Sequence, residues 1–312
     1  MEQRYKRIHV IVNPASGRNE PILNVLNPVF HANGVQWDVS VTLGAGDCTR
    51  YARAAAEDGV DVVAAYGGDG TINEAVSGLV GTGVPLMILP GGTNNVLAAE
   101  FGVPSKLAAA VEQLFASQPR AVDVGQVDMG EEGVRYFLMR AEIGLPAEMN
   151  VETTREMKDK LGPLAYGVGA VKAIEKATPT QFRMTVDGEL VQVTGTSVQA
   201  LNTTRMGSAM AMTYAQSVSP YDGLLDVVLL GEGLKGLVSA IDRAAGIDEQ
   251  WGISHWQGRE VTVESDPVKP VWCDGEPFGD TPKTIRIIPQ AVQILTVPEG
   301  QGSAEPAGGQ PQ

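Results

Sequence analysis

Short hydrophobic runs alternate with helical repeats over the first 120 residues. The runs that predict strands are 7–12, 37–43, 60–65 and 85–89. Apolar residues at helical spacing predict helices at 21–33, 47–57, 71–79, 96–101 and 105–117. Because short strands alternate with helices, we predict a parallel sheet flanked by helices, an α/β domain spanning residues 1–120.

The pattern changes after Pro119, where apolar and polar residues begin to alternate. Strands are predicted at 122–127, 136–143, 182–186, 190–193, 225–230, 261–264 and 285–288, with helical interruptions at 164–177 and 234–245. This pattern indicates a mainly antiparallel, β-sandwich-like domain over residues 121–297. A tail at 298–312, rich in Gly, Pro, Gln and Ser, is expected to be disordered.

Three loops at the carboxyl ends of the predicted parallel strands are rich in Gly or Asn. They are residues 13–17, 67–71 and 91–95. Ligands of open α/β sheets bind at this edge of the sheet. We therefore expect the three loops to converge on one site.

The loop at 67–71 places one aspartate among three glycines, directly before a helical repeat. Glycines let a ligand approach bare backbone amides, and a helix N-terminus attracts anions. A carboxylate suits such a site if a divalent cation lies between it and the phosphates. We interpret Asp69 as a Mg²⁺-handling residue, and the open alternative is an ordinary strand-to-helix turn with Thr71 as N-cap.

Charge and cysteine content narrow the possible partners. The formal net charge of −14 argues against a nucleic-acid partner and against strong docking on anionic membranes. A nucleotide site and a transient membrane contact stay open, because local amides and a metal can outweigh the overall charge. Cys48 and Cys273 form no disulfide framework, and no apolar stretch has bilayer length. A cytoplasmic protein with two reduced thiols is expected.

Six short blocks follow one another in a recognisable order. They are NPASG at 13–17, GGDGTINE at 67–74, PGGT at 90–93, LGPLAY at 161–166, DGLLD at 222–226 and DGE at 274–276. This order resembles the diacylglycerol kinase catalytic family, which is related to sphingosine and ceramide kinases. The resemblance spans residues 7–297. It implies a kinase that uses Mg²⁺ and transfers the γ-phosphoryl group of ATP to a hydroxyl of a lipid such as diacylglycerol.

The resemblance also implies roles for individual residues. Along the nucleotide it places Asn13, Pro14, Ala15, Ser16, Gly17 and Thr42. Around the phosphates it places Gly68, Asp69, Gly70, Thr71, Ile72, Asn73, Glu74 and Thr93, with Asp69 near the catalytic Mg²⁺. A structural Mg²⁺ would be held by Asp222 with the carbonyls of Ser219 and Leu224. Asp274 would accept the hydroxyl proton, and Glu276 would support the metal network, in a cleft between the domains.

Two of these assignments have a plainer alternative. Asp-Gly is a common hairpin turn, and the same triplet occurs at Asp187, where matched strands predict an ordinary hairpin. Pro277 makes a clean hairpin after Asp274 less natural, and the order of the family's blocks favours the catalytic role for Asp274. For Asp222, the alternative of an ordinary turn stays open.

Departures from the family pattern leave two other functions open. Val96 stands where most relatives have an aspartate, and Pro146 stands where an aspartate is common. One alternative is a kinase for a soluble acceptor such as NAD or a sugar phosphate. The other is a nucleotide- or lipid-binding protein without turnover. The three histidines, His9, His31 and His255, lack partners at ligand spacing and are predicted to be structural or solvent-facing.

Overall fold

The computed structural model describes residues 5–17, 20–144, 179–203, 218–231 and 253–296. The chain divides into two compact units, one of residues 1–120 with 293–312 and one of residues 121–292. Four sequence features fall outside the described residues, namely the predicted helices at 164–177 and 234–245, the block at 161–166 and the tail at 298–312.

The first unit alternates strands and helices as predicted. Its strands are β1 Arg7–Val12, β2 Gln36–Val41, β3 Val62–Gly67 and β4 Leu86–Pro90. Its helices are α1 Ile22–Ala32, α2 Asp47–Glu57, α3 Asp69–Leu79, α4 Val96–Glu100 and α5 Leu107–Gln113. Helix α3 begins two residues earlier than expected, because Gly68 is extended (φ −87°, ψ −175°) and serves as the N-cap in place of Thr71.

The strands of this unit form a parallel sheet in the order β2-β1-β3-β4. The chain leaves β1 toward one side to form β2 and crosses to the other side to form β3. Such a reversal opens a crevice at the carboxyl ends of the two central strands, where ligands of open α/β sheets bind. All six residues of β3 are buried, as expected for a central parallel strand with both faces covered.

The remaining strands belong wholly or mainly to the second unit. They are β5 Gln118–Asp128, β6 Val134–Phe137, β7 Arg140–Gly144, β8 Thr180–Val186, β9 Glu189–Gly195, β10 Ser197–Leu201, β11 Leu225–Leu230, β12 Ile253–Gly258, β13 Glu260–Asp266, β14 Pro270–Cys273, β15 Glu276–Asp280 and β16 Lys283–Thr296. The end of β16 returns to the first unit, where Ile294 pairs with Leu86. The sequence did not predict β10, β12, β14 or β15, and the single strand expected at 136–143 is divided at Leu138.

Two antiparallel arrays build the second unit. One is a six-stranded sheet in the order β12-β11-β10-β7-β14-β15, and the other pairs β16, β13, β8 and β9 in that order. Their facing side chains form one apolar core, which includes Ile143, Val198, Phe182 and Val261. The predicted combination of an α/β domain and an antiparallel, sandwich-like domain is thus confirmed.

Two further expectations concern redox state and membranes. Cys48 and Cys273 are both free and buried, and burial raises the pKa of the Cys48 thiol to about 12. A protonated, enclosed thiol is a poor nucleophile. Within the described parts of the chain, no helix combines the length and the apolar character needed to cross a bilayer.

Candidate functional site

The three loops at the carboxyl ends of β1, β3 and β4 converge, as predicted. The amides of Gly91 and Gly92 donate to the carbonyl of Gly67 at 2.9 and 3.2 Å. A Cβ atom added to Gly92 would lie 2.6 Å from the Cα of Gly68, so the two glycine loops touch backbone to backbone. A Cβ atom on Gly17 would lie 3.9 Å from the hydroxyl of Thr93.

Asn13 fixes the first of these loops to helix α3. Its side-chain amide donates to the hydroxyl of Thr71 at 2.9 Å, and its side-chain carbonyl accepts the amide of Ala15 at 2.9 Å. The hydroxyl of Ser16 donates back to the Asn13 carbonyl at 2.7 Å. Thr42 directly follows β2. Its amide donates to the carbonyl of Val12 at 2.9 Å, so it lies beside the residue that precedes this loop. These bonds fix the conformation of the loop, in which Pro14, Ala15 and Gly17 are exposed to solvent.

Asp69 lies in the first turn of α3, where unpaired helix amides accumulate. Its Oδ1 accepts the amide of Leu97 at 2.9 Å, at the start of α4. Within the described residues, its Oδ2 makes no hydrogen bond. One carboxylate oxygen therefore positions α4, and the other is available to a hydrated cation. This donor chemistry fits Mg²⁺, which binds through one or two carboxylates and keeps several waters.

Not every predicted phosphate residue offers its side chain to the crevice. Ile72 is buried, so its side chain cannot face a ligand and it can contribute only its backbone. The Glu74 carboxylate accepts the amides of Gly46 and Cys48 at 3.1 and 3.2 Å, which caps the start of helix α2. Glu74 thus links α3 to α2, and its part in phosphate binding would be through the position of these helices.

We expect Glu74→Gln to lower stability more than ATP affinity. The substitution replaces one of two acceptor oxygens with a donor that faces a backbone amide, at a cost of about 1–2 kcal/mol. Urea unfolding should show this loss, and ATP affinity should change less than about threefold. Glu57→Gln is the matched control, because Glu57 is an exposed glutamate on α2, the helix whose start Glu74 caps. It should change neither stability nor ATP affinity. A tenfold loss of ATP affinity at unchanged stability would contradict this assignment.

Asp274 occupies a tight turn between β14 and β15. Asp274 and Gly275 have φ angles of +50° and +84°, and Cys273 pairs with Glu276 across them. The expectation that Pro277 makes a clean hairpin less natural here was therefore wrong. Strand β15 lies at the edge of its sheet, where a proline is tolerated. The turn at Asp187, in contrast, was predicted correctly, and Val186 pairs with Glu189 across it.

The carboxylate of Asp274 is held by three consecutive backbone amides. Those of residues 138–140 donate to it at 2.7–3.2 Å, at the break between β6 and β7. Burial raises the pKa of Asp274 to about 6, although the amide bonds act to lower it. Asp187 accepts comparable bonds from the amides of residues 259 and 260 at 2.8–3.0 Å, but it is exposed. Asp274 differs from Asp187 in being partly buried, and a carboxyl whose pKa is raised to about 6 suits a general base at neutral pH.

Glu276 lies just beyond the turn on β15. It is exposed, and its carboxylate lies 3.7 Å from the guanidinium of Arg135. That guanidinium also stacks over the ring of Phe278, 4.0 Å from the ring centroid. Among the described residues, the side chain of Glu276 is thus paired with a cation, two positions after Asp274.

The loop predicted to hold a structural Mg²⁺ contacts a buried acid of β5 that the sequence did not single out. Asp123 is fully buried, and its two oxygens accept the amides of Gly223 and Gln290 at 2.6 and 2.8 Å. Burial and the nearby charges of Asp226 and Asp123 raise the pKa of Asp222. A lone carboxylate within the apolar run 122–127 was the available signal for Asp123.

The oxygen atoms around Asp222 are of the type that a hard cation prefers, although they are few. The Oδ1 of Asp222 accepts the amide of Leu224 at 3.0 Å, as in an ordinary Asx turn. No cluster of three His, Cys, Asp or Glu side chains arranged for a metal occurs in the parts of the chain that the structure describes. Any cation here would be bound by Asp222 with main-chain carbonyls such as those of Ser219 and Leu224, and it would offset the accumulated negative charge.

Comparison with known proteins agrees with the fold of both units. Residues 7–127 match the family model described as diacylglycerol kinase catalytic domain, and residues 141–296 match the one described as YegS C-terminal NAD kinase beta sandwich-like domain. A protein of Staphylococcus haemolyticus named "Putative lipid kinase SH2167" is 30% identical over 260 residues, covering 81% of this chain and 82% of its own length. The chain belongs to the diacylglycerol kinase-like family of lipid kinases.

Solved structures of the diacylglycerol kinase-like family share this architecture. The "putative diacylglycerol kinase" of Bacillus anthracis str. Sterne superimposes with a TM-score of 0.80 at 25% identity, covering 96% of this chain and 99% of its own. A second structure from the same organism gives a TM-score of 0.78 at 25% identity, covering 95% and 98%. In this family member the departure at Val96 falls on the first residue of α4, and Pro146 lies outside the described residues.

Proposed function

We propose that the protein is an ATP-dependent, Mg²⁺-requiring kinase that transfers the γ-phosphoryl group of ATP to a hydroxyl of a lipid, such as diacylglycerol. One observation carries the proposal. Three Gly- or Asn-rich loops meet at the crevice of the parallel sheet, and Asp69 holds an unbonded carboxylate oxygen there. The acceptor would be reached by transient contact with a membrane surface.

The first unit would bind the donor. Bare amides of the glycine loops and of the α3 N-terminus would hold the phosphate oxygens, because both present N–H groups to an anion. Asp69 would orient the hydrated Mg²⁺. The chemistry that Mg²⁺ would supply there is neutralisation of the negative charge that develops on the phosphate during transfer. The exposed residues of the loop at 13–17 and Thr93 would line the nucleotide.

The second unit would supply the proton acceptor. The lipid hydroxyl oxygen forms a bond to the γ-phosphorus as the bond from that phosphorus to ADP breaks. The hydroxyl proton passes to the carboxylate of Asp274, which is ionised at neutral pH because its pKa is about 6. Glu276 would support the metal network from the same hairpin. Accepting the hydroxyl proton as the new bond forms is the usual task of a general base.

A transfer assay with a panel of acceptors tests this function. Purified protein would be incubated with labelled ATP, Mg²⁺ and either lipids, NAD or sugar phosphates. We expect label in a lipid, and Asp69→Asn should remove it. Label only in a soluble acceptor would replace the proposal with the soluble-acceptor kinase. Tight ATP binding without transfer to any acceptor would leave a binding protein.

The pH dependence of transfer should report Asp274. Its carboxylate must be ionised to accept a proton, so kcat/KM should fall tenfold per pH unit below about pH 6. The contribution of Asp274 to the free energy of unfolding should change in the opposite direction and decrease as the pH rises. A folded-state pKa above the ordinary value of 3.8 means that the folded protein favours the protonated form, so this contribution to stability is lost as the pH rises through about 6. Flat kcat/KM between pH 5 and 7 would exclude Asp274 as the base.

A further inference from the structure

Arg135, on strand β6, contacts the outer strand of the Asp274 hairpin. Its Nη1 donates to the carbonyl of Pro277 at 2.8 Å, and its Nη2 lies 3.7 Å from the carboxylate of Glu276. Its guanidinium carbon lies 4.0 Å from the centroid of the Phe278 ring, a favourable cation–π distance. One side chain thus contacts three consecutive residues of β15.

These contacts connect the two arrays of the second unit. Strand β6 pairs with β5, which pairs with β16, whereas β15 is the edge strand of the six-stranded sheet. Within the described residues, β15 pairs with β14 alone. A backbone ladder therefore holds this strand on one side only, and Arg135 adds a contact to a second element. Phe278 is buried in the apolar core between the arrays, so the guanidinium lies against a ring that the core holds in place.

The same stretch of chain also holds the hairpin at its tip. The amides of residues 138–140, which follow β6 directly, donate to the carboxylate of Asp274 at 2.7–3.2 Å. The amide of Asp274 in turn donates to the carbonyl of Arg140 at 3.1 Å. Residues 134–140 therefore contact the hairpin at two places, the tip through backbone amides and the outer strand through Arg135. A shift of β15 would move the carboxylate of Asp274 relative to these amides.

The contacts of Arg135 affect the position of Asp274 more than its charge. In the described part of the chain, the charged side chains around the tip of the hairpin are Arg135, Arg140, Glu142, Glu276 and Lys283. The main influences on the pKa of Asp274 are burial, which raises it, and the amides of residues 138–140 with the charge of Arg140, which lower it. The guanidinium of Arg135 instead faces Pro277 and Glu276.

We propose that Arg135 is a positioning residue, which fixes the carboxylate of Asp274 at the place where the hydroxyl proton is taken. It acts through β15, and the nucleotide loops belong to the other compact unit. Position 135 lies between the segments that match the two family models, residues 7–127 and 141–296. The inference rests on the proposed kinase function, because that function makes Asp274 the proton acceptor.

Arg135→Met tests the effect on the reaction. Methionine keeps an apolar side chain beside Phe278 but loses the hydrogen bond to Pro277 and the ion pair with Glu276. We expect kcat for phosphoryl transfer to fall about tenfold or more, because a small displacement of a reacting group is costly. KM for ATP should stay within about twofold, since nucleotide binding is unaltered. Arg135→Lys keeps a charge and one donor for the Pro277 carbonyl, so it should recover part of the loss.

The pH profile separates an effect of position from an effect of charge. Loosening of the hairpin exposes Asp274 to water, and burial is the main reason why its pKa is about 6 rather than 3.8. In Arg135→Met the pKa of Asp274 should therefore fall, and the acid limb of kcat/KM should move down by about half a pH unit or more. Removal of a nearby positive charge, acting alone, would raise this pKa. NMR titration of the Asp274 carboxyl measures the same pKa without turnover.

Arg286→Met is the matched control. Arg286 lies on β16 with 42% of its side chain exposed, against 40% for Arg135, and pairs with Glu260 at 2.5 Å. Its loss should leave both kcat and the pKa of Asp274 unchanged. Reduced stability alone does not shift a pKa measured on the folded protein. If Arg135→Met folds poorly, Arg135→Lys gives the same readout, with a smaller fall in the pKa of Asp274.

The outcomes separate the positioning role from the kinase function. Lipid transfer with kcat and the pKa of Asp274 both unchanged in Arg135→Met would overturn the role and leave the kinase intact. A raised pKa of Asp274, or an equal loss of kcat in Arg286→Met, would overturn it as well. A lowered pKa by NMR, with no transfer by the unsubstituted protein to any acceptor, would support the link from Arg135 to Asp274 and overturn the kinase function.

Discussion

Asp274→Asn should lower kcat for phosphoryl transfer at least about 100-fold and leave ATP affinity within about threefold. A positioned general base contributes roughly 10²–10⁴-fold, and an amide cannot take the hydroxyl proton at neutral pH. ATP binding should persist because the nucleotide loops belong to the other compact unit. Initial rates with labelled ATP and ATP titration by calorimetry measure the two quantities.

The same substitution should also destabilise the fold, so it needs a structural control. Asn presents a donor to the backbone amides of residues 138–140, which costs about 1–3 kcal/mol when a buried partner is lost. Asp187→Asn makes the equivalent change in the other Asp-Gly hairpin, where the amides of residues 259 and 260 are the donors. It should lower stability somewhat and retain full transfer. Equal loss of transfer in both variants, or none in Asp274→Asn, would remove Asp274 from the chemistry.

Gly92→Ala should disable the nucleotide site without touching any charged group. The new Cβ would lie 2.6 Å from the Cα of Gly68, and two backbones cannot relieve a collision by a rotamer change. We expect a loss of about 1–3 kcal/mol in the free energy of unfolding, typical of overpacking. ATP affinity should fall at least about tenfold, because the collision pushes the loops at 67–71 and 91–95 apart. Thermal unfolding and ATP calorimetry would record both effects.

Gly44→Ala is the matched control for this variant. A Cβ on Gly44 would meet no atom within 4 Å, and its backbone does not need a positive φ. It should therefore leave stability and ATP affinity within experimental scatter. If Gly92→Ala left stability and ATP affinity as unchanged as Gly44→Ala does, the ATP site would not depend on the close contact between the two glycine loops.

Local patterns were sufficient for the first unit. The hydrophobic pattern of each short segment predicted its helix or strand. The rule that ligands bind at the carboxyl ends of parallel strands then predicted that residues 13–17, 67–71 and 91–95 lie together. The second unit was predicted less completely. Strand β10 is buried on both faces and β12 is polar, so neither shows the alternation that marks a half-buried strand.

The sequence by itself determined the order of elements in the first unit, the family and the converging glycine loops, because these depend on short stretches of chain. Only the tertiary structure decided what the acids contact. Asp274 meets amides about 135 residues away, Asp123 holds Gly223 and Gln290, and Glu74 caps a helix that precedes it. Hydrogen bonds and burial depend on which strands become neighbours, and no local periodicity encodes that choice.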